Sequence, residues 1–205
     1  MDDPIGLAIK DFFENGQAPN ILVNTNYTEN EIIPPAYFFR NKQEMPETEQ
    51  FALQQCTGKV LDVGAGAGSH ALILQKKGLE VTALEKSGLA AEVLRKRGVK
   101  NLFVGDIYDF GGIRFDTILI LMNGTGIGET LAGLKKLLFH LRSLLDENGQ
   151  ILMDSSDIRY LFEEEDGSVW MDLNRRNYYG EMEYEVNYKN HRSCFKWLFV
   201  DFNTM

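Results

Sequence analysis

The chain has only two cysteines, five prolines and three histidines in 205 residues. Cys56 and Cys194 are far apart and lack metal-type spacing, which argues against a disulfide scaffold or a cysteine-held metal. Both read as small buried residues in a reducing cytoplasm. Basic charge is also short: 21 Lys and Arg against 30 Asp and Glu give a net charge of −9. Nucleic acid usually demands a basic face, so it is not the expected partner. The basic clusters Arg95-Lys96-Arg97 and Arg175-Arg176 read as solvated faces. No apolar run approaches the roughly 18 residues of a membrane span. The start, Met1-Asp2-Asp3-Pro4, lacks a basic region followed by an apolar one, so no signal peptide is expected. The hydrophobic share of 44% suffices for one sizeable core.

What is present is a glycine turn. Val60-Leu61-Asp62-Val63 is an apolar run through an acid, followed by Gly64-Ala65-Gly66-Ala67-Gly68 and then a helical pattern. Glycine tolerates positive φ and lets a ligand approach the backbone. Between a buried strand and a helix N-terminus such a turn can hold a nucleotide-type cofactor. The spacing is G-x-G-x-G, not the G-x-G-x-x-G of dinucleotide enzymes.

Further apolar runs repeat the pattern. Val81 to Leu84 ends in Glu85, 21 positions after Gly64, close to the roughly 20-residue offset of a ribose-binding carboxylate in a βαβ unit. Lys86 follows it. Asn101 to Gly105 ends in Asp106-Ile107, and Phe115 to Met122 ends in Asn123-Gly124. Gly149 to Asp154, after the Asn148-Gly149 turn, is a fifth run. Helical patterns lie between them at 69–77, 87–97 and 130–145, the last carrying a leucine stripe. This alternation predicts an α/β fold: a Rossmann-like, mostly parallel sheet with helices on both faces. Its ligand end is the carboxyl end of the strands.

Asp62 with the three glycines, D-x-G-x-G-x-G, resembles the first motif of class I S-adenosylmethionine (SAM)-dependent methyltransferases. The resemblance covers about residues 58–157. It implies SAM as cofactor, cradled by Asp62, Gly64, Ala65, Gly66 and Gly68. Glu85 would hold the ribose, with Lys86 beside it. Asp106 would take the adenine amine, and Ile107 would offer its backbone N–H. Asn123 and Gly124 would lie beside the methionine part. An N-terminal segment covers the cofactor in many members; Tyr37 and Arg40 are the candidates here, Arg40 as a two-bond partner of the cofactor carboxylate.

No residue declares itself as catalytic, and none as a metal ligand. Met122-Asn123-Gly124-Thr125-Gly126 is not the Asn/Asp-Pro-Pro-aromatic signature of exocyclic or amide nitrogen methylation. His70 follows the loop, His140 and His191 read as surface residues, and Asp154, Ser155 and Asp157 border the expected substrate mouth. The acceptor is expected to be a small molecule. A non-catalytic SAM-binding module and, against the glycine spacing, a nicotinamide-dependent dehydrogenase are the alternatives.

The flanks divide the chain into an N-terminal helical cap (1–57), the α/β core (58–157) and a C-terminal antiparallel hairpin region (158–205). Asp3-Pro4 to Phe13 and Pro46 to Cys56 predict helices, and Pro34-Pro35 predicts an extended or turn segment. Strict alternation over 181–189 predicts a half-buried strand, a turn at 190–193 and a return over 195–200. Ile158 to Phe162 and Val169 to Leu173 read as a second hairpin. The family usually closes its sheet with further elements after the fifth strand. Either the hairpin replaces them or the C-terminus is incomplete, leaving an open edge and a route to a homo-oligomer.

Overall fold

The computed structural model describes residues 2–164, 166–169 and 177–205. Helix α1 (Pro4–Asn15) is capped at both ends. The Asp3 carboxylate accepts the Gly6 N–H at 2.8 Å, and Gly16 closes the helix at φ 71°. Strands β1 (Ile21–Thr25) and β2 (Glu31–Ile33) follow. Pro34 is extended, and Pro35–Phe39 makes one 3-10 turn, because a proline is compatible with the first helical position. Then come α2 (Glu47–Gln55), β3 (Lys59–Val63), α3 (Ser69–Lys76), β4 (Glu80–Glu85) and α4 (Gly88–Arg97). β5 (Asn101–Val104), β6 (Phe115–Ile120), α5 (Leu131–Ser143) and β7 (Leu145–Met153) complete this stretch, and β8 (Glu181–Tyr188) and β9 (His191–Leu198) end the chain.

Five strands form a parallel sheet in the order β5-β4-β3-β6-β7. The chain winds outward from β3 to β5, returns to β6 and winds out again. The reversal places a crevice at the carboxyl ends of β3 and β6. Successive strand residues face opposite sides. Leu61, Val63, Ile118 and Ile120 pack with Leu134, Leu137 and Leu141 of α5. Val60, Val81 and Leu119 pack with Leu53 of α2, Leu74 of α3 and Leu94 of α4. Helices therefore cover both faces, as expected.

The fifth strand starts earlier than predicted. Helix α5 ends at Ser143, and Leu145 already pairs with Phe115. Thr117 then pairs with Gln150, so the Asn148-Gly149 turn is absorbed as a register irregularity within β7.

The N-terminal segment is not purely helical. β1 pairs antiparallel with β2 on one side and with β8 on the other, and β9 completes a second sheet, β2-β1-β8-β9. The C-terminal hairpin thus finds its partner strand at the other end of the chain. Its predicted face is buried: Met182, Val186 and Tyr188 are nearly inaccessible. The turn is tighter than expected. Tyr188 faces His191 across Lys189-Asn190, with Lys189 at φ 52°. Cys194 is exposed rather than buried, because it lies opposite Glu185 on the outer face. Residues 159–162 form a 3-10 turn instead of a strand. Val169 makes an isolated bridge with Glu163, while residues 170–173 of the other expected strand, and Arg175-Arg176, lie outside the described residues. No helix among the described residues is long and apolar enough to cross a membrane.

Candidate active site

The glycine turn joins β3 to α3 with Gly64, Gly66 and Gly68 at φ 72°, 55° and 86°. All three conformations suit glycine, but their surroundings differ. A Cβ on Gly64 would meet only Ile127 Cδ1 at 3.9 Å, and one on Gly66 only Phe38 Cδ1 at 3.8 Å. A Cβ on Gly68 would strike Leu94 at 2.5 Å. Gly64 and Gly66 therefore border space, and Gly68 is a packing glycine.

Glu85, at the end of β4, clasps this turn. Its carboxylate accepts the Gly66 N–H at 2.7 Å and the Ser87 N–H at 2.8 Å. Burial raises its pKa, opposed by these backbone bonds. A carboxylate has about four acceptor sites, so two backbone donors leave room for a diol. Asp106, after β5, accepts from the Tyr108 N–H and pairs with Lys86 at 2.9 Å. Lys86 bonding is the leading cause lowering the Asp106 pKa. Ile107 is buried, and its carbonyl accepts a bond from His140 Nε2 at 2.8 Å. His140 is thus half-buried, not a surface residue, because α5 packs over the turn after β5. Asn123 adopts φ 58°, and its N–H reaches both oxygens of Asp154 at 3.0 and 2.9 Å. Gly124 is buried at the start of the next 3-10 turn.

Asp62 points beneath the loop. It is only 2% exposed, and its Oδ2 has no partner among the described residues. Burial raises its pKa. Its neighbour in charge is His70 of α3, which bonds Glu49 of α2 at 2.9 Å. Glu49 also receives both contacts of Arg40 Nη2, at 3.0 and 3.1 Å, while Arg40 Nε donates to the Tyr37 carbonyl. The Arg40 guanidinium sits 3.9 Å over the Tyr37 ring. Two of the Arg40 nitrogens are thus engaged within the chain.

Glu49 escaped the sequence reading because it sits in the first turn of a helix, where an acid has a dipole role and needs no other. Two more loop contacts were unreadable because their partners lie far apart in the sequence. Arg97, expected in a solvated cluster, donates to the Ala67 carbonyl at 2.5 Å and lies 4.9 Å over Phe39. Ser69 Oγ donates to the Phe38 carbonyl at 2.8 Å. Together they strap residues 37–40 across the turn.

Beside the turn, on the far side of Asn123, lies a cavity of about 1070 Å³. One wall is the inner face of the antiparallel sheet, with Tyr184, Phe195, Trp197 and Phe199. The opposite wall is the end of β6 and β7, with Met122, Asn123, Met153, Asp154 and Ser155. Asp157 instead bonds Arg159 and the Tyr179 hydroxyl.

The comparisons with known proteins bear on this arrangement. No family model matches the chain, and no curated protein matches it. Among solved structures, a SAM-dependent methyltransferase from Bacteroides fragilis, in complex with S-adenosyl-L-homocysteine, is 43% identical; the match covers 99% of this chain and 83% of that one, with a TM-score of 0.90. The chain belongs to the SAM-dependent methyltransferases. An amino pentose methyltransferase from Micromonospora echinaspora shares the fold at 16% identity, with 86% and 87% of the two chains covered and a TM-score of 0.52. A sugar N-methyltransferase from Streptoalloteichus does so at 17% identity, with 85% and 81% covered and a TM-score of 0.52.

For a SAM-dependent methyltransferase the residues at the glycine turn fit the cofactor. Two glycine faces border free space, and a buried carboxylate with spare acceptor sites stands at the next strand end. The dehydrogenase alternative lapses with the family.

Proposed function

We propose that this methyltransferase acts on a small-molecule acceptor seated in the cavity between β8–β9 and the ends of β6 and β7. The observation that carries this reading is the position of the cavity: Asn123 lines it and also heads the turn beside the glycine loop. Its volume, about 1070 Å³, lies just above the roughly 300–1,000 Å³ typical of small-ligand clefts. SAM supplies an activated methyl group on a sulfonium, so the protein's task is to orient the acceptor and exclude water.

In this reading Gly64, Ala65 and Gly66 receive the methionine end of the cofactor. Glu85 takes the ribose diol, and Asp106 with the Ile107 N–H takes the adenine. Asn123 and Gly124 border the transferring methyl, with Tyr37 and Arg40 closing from above. Asp62 and Gly68 shape the loop from below, and Lys86 orients Asp106. The acidic surface supports a small acceptor over nucleic acid. Two free cysteines suit a cytoplasmic setting. One strand of the hairpin, β8, pairs with β1 of its own chain, while β9 and β7 stay at sheet edges, the expected route to a homo-oligomer.

The test has two arms. Labelled SAM supplied to cell extract with the protein should place label on a low-molecular-weight compound. In calorimetry, Glu85→Ala should weaken S-adenosylhomocysteine binding by about 1.5–3 kcal/mol, the loss of hydrogen bonds to a charged group. Label appearing only on macromolecules rejects the small acceptor, and unchanged affinity rejects Glu85 as the ribose ligand.

A further inference from the structure

The charge of the cavity deepens that reading. Its described lining includes the carboxylates Glu47, Glu49 and Asp154 and no lysine, arginine or histidine. Among the described residues an anionic acceptor would meet no counter-charge there. Glu49 is already neutralised from behind by Arg40 and His70. Among the described residues Asp154 has no such partner: its oxygens accept the Asn123 N–H. Asp154 is half-buried and its donors are neutral, so its charge and spare acceptor sites remain for a cation.

The aromatic wall points the same way. Tyr184 stacks against Phe195 with centroids 5.8 Å apart and against Phe199 at 6.1 Å, and Trp197 meets Phe195 edge-on. Such faces attract a cation as well as an apolar body. Trp197 is tied to the Asp154 side of the cavity. It packs so closely on Gly126 that a Cβ there would lie 2.1 Å from the indole. Gly126 belongs to the turn headed by Asn123, the residue Asp154 holds.

We propose that the acceptor is an amine with an apolar body, bound as its ammonium by the Asp154 carboxylate and the face of Trp197. This rests on the small-molecule methyl-transfer reading above. An ammonium nitrogen has no free electron pair, so it first gives one proton to Asp154. The pair then forms the N–C bond as the S–C bond breaks toward sulfur. The products are a methylated ammonium and a neutral thioether, so charge is conserved. Burial raises the Asp154 carboxyl, a direction the Glu49 charge reinforces. The same burial disfavours the ammonium form. Both shifts ease that proton transfer.

The readout is Trp197 fluorescence in a Trp170→Phe background, which leaves Trp197 as the only tryptophan. Three probes share a phenylethyl body and differ in the head: phenethylammonium, 2-phenylethanol and phenylacetate. The ammonium should bind about tenfold tighter than the alcohol, as a charge-assisted bond with a cation–π contact implies. Phenylacetate should bind weakest. Asp154→Asn keeps an acceptor for the Asn123 N–H and should make ammonium and alcohol equal. The proposal is overturned if the alcohol or the acid matches the ammonium. It is equally overturned if the preference survives Asp154→Asn, or if none of the three binds to protein that binds S-adenosylhomocysteine. Loss of S-adenosylhomocysteine binding by the unsubstituted protein would instead count against the cofactor site, leaving the ammonium preference to be read separately.

Discussion

The parallel sheet takes its five strands from one unbroken stretch, Lys59 to Met153, whereas the antiparallel sheet joins strands from residues 21–33 and 181–198. The first offers glycine faces, a helix N-terminus and strand-end acids at the carboxyl ends of its strands. The second presents side chains, chiefly aromatic. One site needs a fixed backbone geometry and tolerates little change. The other needs a shaped wall, which can be rebuilt with different side chains. The two meet at Asn123, whose backbone is held by Asp154 and whose side-chain nitrogen lies 3.4 Å from the Leu198 carbonyl.

The largest expected effect separates the two halves of the site. Gly66→Val should reduce S-adenosylhomocysteine affinity by more than about a hundredfold, because the side chain occupies ligand space and Gly66 sits at φ 55°. The φ strain is local and only Phe38 stands near the added carbon, so the variant should lose some stability yet stay folded. Calorimetry and circular dichroism check both parts. A variant that binds normally would make Gly66 a packing glycine like Gly68 and erase the distinction drawn between them.

The next effect asks whether the sheets are energetically separate. Leu198 of β9 is fully buried in the cluster that holds β6 and α5. Leu198→Ala should cost about 2–5 kcal/mol, the usual range for an emptied buried leucine site. In the Trp170→Phe background, urea unfolding followed by Trp197 fluorescence and by far-ultraviolet dichroism should then give coincident transitions, one cooperative unit. A fluorescence transition well ahead of the dichroism would show that the antiparallel sheet melts alone.

The smallest effect concerns the strap between the halves. Burial lowers the His70 pKa, but the Glu49 bond and the charges of Asp62 and Glu49 outweigh it, so the net shift is upward. Its contribution to stability is present below the ordinary histidine value and is lost as pH rises through the raised one. Burial raises the Glu49 pKa, and bonds from His70 and Arg40 overcome this to lower it. That contribution is present above the ordinary glutamate value and is lost as pH falls through the lowered one. The strap is therefore strongest between about pH 4.5 and about pH 6.5, and weakens above that as His70 loses its proton. Glu49→Gln should cost about 1.5 kcal/mol inside that window, as for a bond to a charged group, and less on either side. Melting temperatures across the window check this; a cost independent of pH would leave Glu49 a packing residue.

Much of the cofactor half could be read before any fold was known. Gly64, Glu85, Asp106 and Asn123 each end a short apolar run, and parallel winding sends those ends to one side. Their types and spacings are local, and the winding has one hand, so the sequence by itself determined which residues share that edge. It also determined that 181–188 has one buried face, since alternation is local too. What it could not determine is which surface covers that face. Val186 finds Val23, 163 residues away, and nothing in either segment names the other. The Arg40–Glu49–His70 strap, the Arg97 latch on Ala67 and the pairing of Asp154 with Asn123 have the same origin. They are contacts between elements whose relative placement follows from packing two sheets and their helices around a shared core, and only the tertiary structure decided them.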